Sequence, residues 1–81
     1  MGKLDKTLEK ILSGRSDAGI RFSDLVRLLT RFGFAERVRG DHHVFTREGV
    51  EEILNLQPRG SAAKPYQVKQ IRLVILRYGL E

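Results

Sequence analysis

Phe34-Ala35-Glu36-Arg37-Val38-Arg39-Gly40-Asp41-His42-His43-Val44-Phe45-Thr46 decides the fold of this chain. Two short extended runs, Phe34 to Arg39 and His42 to Thr46, flank a Gly-Asp pair, which is the pattern of a β-hairpin. Arg47-Glu48-Gly49 supplies a second turn, and Val50 to Gln57 continues to Pro58. Val50, Ile53 and Leu54 also fit a helical period. A segment this short, closed by proline, is brief for a helix and ordinary for a strand, so it reads as a third strand. Tight turns join antiparallel neighbours, so the three strands form one antiparallel sheet.

Outward from the sheet the period changes to that of helices. Leu4, Leu8, Ile11 and Leu12 recur at i, i+4, i+7 and i+8, an amphipathic helix that Gly14 can end. Arg15 to Arg21 reads as a loop. Ser23 is expected to cap a second helix, with Asp24 in the first turn where the helix dipole favours an anion. Leu25, Leu28, Leu29 and Phe32 form its stripe and Gly33 stops it. After the small-residue loop Pro58 to Lys64, Pro65 suits the first position of a last helix, where its missing N–H costs nothing. Val68, Ile71, Ile75 and Tyr78 share one face of that helix; Leu73, Val74 and Leu76 are expected to widen it, and Gly79-Leu80 to end it. The order predicts an α+β domain with helices packed on one face of the sheet.

Eighty-one residues make one domain with one small core. The absence of cysteine rules out a disulfide framework and a thiolate metal cage, and it fits a reducing cytosol. No apolar run approaches the ~20 residues that span a membrane, and the start lacks the apolar segment of a signal peptide. A cytoplasmic location is therefore expected. Gly2 is a weak myristoylation site, because Thr7 falls one place beyond the motif's hydroxyl position. The net charge is +5, and its distribution is uneven: Ile53 to Leu80 contains no Asp or Glu but carries Arg59, Lys64, Lys69, Arg72 and Arg77. Such a field suits RNA, DNA or an acidic protein, and a merely solvated helix is the plain alternative.

His42 and His43 are the only side chains whose unperturbed titration lies near neutrality. Strand alternation sends His42 and Val44 to one face and His43 and Phe45 to the other. Phe45 has the larger apolar area, so its face is the core face, His43 is partly buried and acts through stability, and His42 is exposed. Adjacent strand histidines cannot grip one ion, and there is no carboxylate cluster to complete a metal site. No Ser or Cys sits in a nucleophile setting, and no phosphate-binding loop motif is present. General acid–base chemistry on RNA remains open, because RNA supplies its own 2′-hydroxyl nucleophile. A surface histidine without chemistry is the alternative for His42.

Leu28-Leu29-Thr30-Arg31-Phe32-Gly33-Phe34, then Arg39 to Phe45, then a basic last helix closing in Gly79-Leu80, resembles the HicA toxins of bacterial toxin–antitoxin modules. The resemblance covers about residues 23 to 80. It divides the chain into an N-terminal helical extension and loop (1–22) and a HicA-like domain (23–81), compact as a whole. It implies a double-stranded-RNA-binding-domain-like (dsRBD-like) fold and an mRNA endoribonuclease that needs no cofactor and is blocked by a HicB-like antitoxin covering its active face. The family's essential histidine follows a Gly-Ser pair and matches His42. Gly40 occupies the turn as in the family, while Asp41 stands where the family has Ser and places a carboxylate beside the substrate phosphate. The expected phosphate contacts are Arg37, Arg39, Lys64, Lys69 and Arg72. A non-catalytic RNA-binding module and a pure protein-interaction domain are the rival readings.

Overall fold

The computed structural model describes residues 3–80, with side chains from Lys6 onward. Gly2 and the Leu4 side chain lie outside that range. Helix α1 (Lys3–Ser13) leads through a short 3-10 turn (Asp17–Gly19) to α2 (Phe22–Arg31). Strands β1 (Ala35–Arg39), β2 (His42–Arg47) and β3 (Val50–Leu56) follow, and α3 (Pro65–Tyr78) closes the domain. The sheet is antiparallel in the order β1-β2-β3. This is the α+β, dsRBD-like arrangement with an additional N-terminal helix. The Gly40-Asp41 pair is the whole β1–β2 connection, since Arg39 and His42 are already paired. Gly40 has φ 59° and, among the described residues, no non-glycine residue has positive φ, as a type II′ hairpin turn requires.

One face of the sheet meets the helices. Phe45, Leu54 and Leu56 are fully buried there with Leu25, Leu28 and Leu29 of α2 and Val68, Ile71 and Ile75 of α3. Each such side chain contributes roughly 1.5–3 kcal/mol relative to exposure. Helix α1 belongs to the same core: Ile11 is fully buried in it, and Leu8 and Leu12 pack against it.

Two sequence expectations change. Ser23 does not cap α2; the helix starts two residues earlier than that cap implies, with Arg21 in the cap position and no side-chain cap bond. A distant segment fixes that start instead, as Phe22 N–H donates to Ser61 O (3.0 Å) and Ala63 N–H to Ile20 O (2.9 Å). Leu73 and Leu76 do not widen the core stripe of α3. They are 59% and 56% exposed, because only one side of this helix faces the sheet. The strand reading of Val50 to Gln57 holds: Ile53 is 65% exposed beside the buried Leu54, since in a strand the two point to opposite faces.

Two polar clamps tie α3 to the rest of the domain. Arg72 donates to Asp17 Oδ1 (2.9 Å) and Oδ2 (3.3 Å) and to the Ile11 carbonyl (3.0 Å), joining α3 to the 3-10 turn and the end of α1. Both side chains are largely withdrawn from water, at 17% and 23% exposed. At the other end of α3, the Tyr78 hydroxyl donates to Glu52 Oε1 (2.6 Å) and accepts from Glu51 N–H (3.2 Å), while Arg77 reaches Glu52 Oε2 (3.2 Å). The Tyr78 hydrogen bond holds the Glu52 carboxyl below its ordinary range, and the carboxylate in turn pushes the Tyr78 hydroxyl up.

Arg72→Ala should lower stability by about 2 kcal/mol, the scale of charge-assisted hydrogen bonds lost from a sheltered site. Arg72→Lys should recover only part, because an ammonium cannot match the forked contact; urea unfolding of the three proteins measures this. Tyr78→Phe should lower the melting temperature at neutral pH. Glu52 has a depressed folded-state pKa, so its contribution is present above the unfolded carboxyl pKa and lost as pH falls through the folded one. The Tm gap between wild type and Tyr78→Phe should therefore narrow in acid, and melting curves across that range read it directly.

Candidate active site on the open face of the sheet

Among the described residues no helix covers the sheet's other face. Alternation places Arg37 and Arg39 of β1, His42, Val44 and Thr46 of β2, and Asn55 of β3 on it. His42 is 53% exposed in its side chain, whereas His43 on the core face is 22% exposed. The order expected from the burial of Phe45 is observed.

His42 is oriented by its neighbours. Its Nδ1 lies 3.2 Å from Asn55 Oδ1. An amide oxygen is an acceptor only, so this contact puts the ring proton on Nδ1 and leaves Nε2 as the acceptor. Nε2 stands 3.9 Å from Asp41 Oδ1, beyond hydrogen-bond reach. Asp41 is itself held back, because Gln57 Nε2 donates to its Oδ2 at 2.6 Å. That bond lowers the Asp41 pKa, with smaller pulls from its own backbone, His42 and Lys64, so the residue is an anion at neutral pH. Lys64 Nζ donates to Gln57 Oε1 at 3.4 Å, which brings a cation to the same corner.

The buried Gln67 amide anchors this network from behind. Oriented by its partners, its oxygen accepts from Gln57 N–H (3.0 Å) and its nitrogen donates to Gln57 O (3.1 Å). The first turn of α3 thus fixes the backbone from which Gln57 reaches Asp41.

Of the expected phosphate contacts, Arg37 and Arg39 are exposed on the His42 face, Arg39 as the cross-strand partner of His42, and Lys64 stands at its edge. Lys69 is exposed on α3 and points away from the sheet, on the far side of the core. Arg72 is not available: its guanidinium is bound to Asp17 and the Ile11 carbonyl. The acid-free run of sequence had suggested otherwise, but folding brings acids to it from elsewhere, Asp17 to Arg72 and Glu52 to Arg77. Asn55 and Gln57 were missed in the sequence. Their signal was present, as polar residues alternating with Leu54 and Leu56, but which residues they would face depended on strand register.

An exposed imidazole with a fixed tautomer and a free Nε2, bordered by three cations, can accept a proton beside a bound polyanion. Among the described residues no group of three or more His, Cys, Asp or Glu could hold a metal ion, and no helix is long and apolar enough to cross a membrane. No curated protein and no solved structure matches the chain. A family model described as the HicA toxin of bacterial toxin–antitoxin modules matches residues 22–78, from the first residue of α2 to the last of α3, and the chain belongs to that family of toxins, whose modules pair each toxin with an antitoxin.

Proposed function

We propose that this toxin is an mRNA endoribonuclease of the cytoplasm that arrests translation by cutting messages and is silenced by a HicB-like antitoxin. The observation that carries the reading is the exposed His42, oriented through Nδ1 by Asn55 on a helix-free sheet face bearing Arg37 and Arg39. His42 Nε2 takes the proton of a ribose 2′-hydroxyl, the 2′-oxygen attacks the adjacent phosphorus, and the 5′-oxygen of the next nucleotide leaves. The products are a 2′,3′-cyclic phosphate and a 5′-hydroxyl. Arg37, Arg39 and Lys64 balance the charge on the pentavalent phosphate, and the leaving oxygen takes its proton from solvent or Lys64. The nucleophile belongs to the substrate, so the step needs no metal-bound water.

His42→Ala should keep its melting temperature and lose ~10²–10⁴ in cleavage rate, the usual worth of positioned acid–base help. Full cleavage by a folded His42→Ala protein would remove the catalytic role. RNA binding with a steep salt slope but no cleavage by the wild type would leave a binding module, and neither binding nor cleavage would leave a protein-interaction domain.

Asn55 acts through His42 as a positioning residue. Asn55→Val should lower kcat by about 10-fold with KM nearly unchanged, as for other partners that fix a tautomer. Asn55→Asp, which retains the acceptor, should restore much of it. Asp41→Ser removes an anion from beside the phosphate path and should raise the rate several-fold, with the largest gain at low salt, where the repulsion is least screened. A slower Asp41→Ser enzyme would mean that the Gln57-held carboxylate helps to place His42.

A further inference from the structure

A second concavity lies behind the hairpin, on the core side of the strand that carries His42. It is a groove of about 500 Å³ between the start of α2, β1 and β2, and the loop after β3. Phe22, Val26 and Pro58 form its apolar wall, and His43, Glu36 and Arg27 are its polar groups. His43 meets Phe22 edge-on, with ring centroids 4.8 Å apart at 66°. Its Nδ1 lies 2.7 Å from Glu36 Oε2, so Nδ1–H donates to the carboxylate and Nε2 is the second polar atom of the ring. Neither side chain is sealed off, at 22% and 30% exposed.

The charges sort the ligands this groove can take. The Glu36 carboxylate repels an anion from its interior and accepts from N–H donors. Cations border it: Arg27 lines it, and the exposed Arg21 and Arg59 are chain neighbours of its lining residues Phe22 and Pro58, their backbones both bridged to Ala62. A ligand with a flat apolar body, an N–H edge and an anion at its outer end matches this order. A nucleotide has that shape, and bases held against aromatic and apolar side chains are the usual mode of single-strand recognition.

We propose that the groove seats one nucleobase of single-stranded RNA against Phe22, Val26 and Pro58, its N–H edge toward Glu36 and its phosphate toward the arginines. The proposal rests on the RNA-cleaving reading above and adds a selector to it. His42 and His43 are consecutive and leave β2 on opposite faces. An RNA strand draped over the Gly40-Asp41 tip presents a phosphate to His42 on one side and a neighbouring base to the groove on the other. The seated base then determines which phosphodiester is cut.

The test uses the full chain. Amide spectra of the ¹⁵N-labelled His42→Ala protein are followed during titration with the four 5′-mononucleotides, with ribose 5-phosphate as the base-free control. Expected are shifts at Phe22, Val26, Glu36 and His43 that differ among the bases and are at least 10-fold weaker for ribose 5-phosphate. Ser23 is exposed at the groove, so Ser23→Trp should fill it without disturbing the core, weaken mononucleotide binding at least 10-fold, and redistribute cleavage among sites on a mixed-sequence RNA. Equal shifts with ribose 5-phosphate would overturn the base seat in favour of a phosphate site. An unchanged cleavage pattern in Ser23→Trp, or loss of antitoxin binding alone, would overturn it in favour of a protein-docking groove. If the wild type cuts no RNA yet mononucleotides bind here selectively, the nuclease reading falls and the base seat stands.

Discussion

The burial of Phe45 is the constraint on which the rest of this small protein depends. The ring is fully buried at the centre of the sheet's helical face, and in a strand that choice dictates the direction of every neighbour. His43 must share the core side with it, where it meets Phe22, while His42 and Val44 must face the open side. Cross-strand pairing transmits the choice: Leu54 lies opposite Phe45 and is buried, and Asn55 beside it turns outward toward His42. A slip of one residue would exchange the two faces, drive the arginines of β1 inward and expose the core leucines. Stability and the presentation of the candidate base are thus set by the same packing event.

The open face is braced from behind. A continuous path runs from the buried Gln67 on α3 to the backbone of Gln57, from the Gln57 side chain to Asp41, and so to the turn that precedes His42. Each group in it has a partner, and among the described residues no buried side-chain polar atom lacks one. This matters in a domain with so small a core, where one unsatisfied buried polar group would cost about 1–3 kcal/mol of a modest total. It also explains how Asp41 sits beside the candidate site without closing on His42: its carboxylate is drawn toward Gln57 and Lys64.

Charge is divided between two tasks. Arg72 and Arg77 are bound to Asp17 and Glu52 and serve to close the fold, whereas Arg37 and Arg39 stand exposed around His42 and Arg21, Arg27 and Arg59 around the groove. One group of cations open to a polyanion therefore stands about the hairpin and the start of α2, and the far side of α3 offers Tyr66, Leu73 and Leu76 with Lys69 between them.

Sequence alone determined the order of elements, the three-stranded antiparallel sheet and the exposure of His42, because these depend on local period, on turn residues such as Gly40, and on the alternation of faces along a strand. It also carried the resemblance to the HicA toxins, which matches the family model over residues 22–78. Tertiary structure decided what depends on distant partners. The start of α2 is set by Ser61 and not by Ser23, and the role of Arg72 is set by Asp17, fifty-five positions away. The partner of His42 is set by the irregularity between Phe45 and Arg47, which moves the β2–β3 register by two residues: the face of Asn55 is kept and its neighbours are changed. A pattern of residue types encodes which face a side chain takes. Which residues meet on that face is decided only when loops close and strands choose a register, and those choices are made by the whole core together.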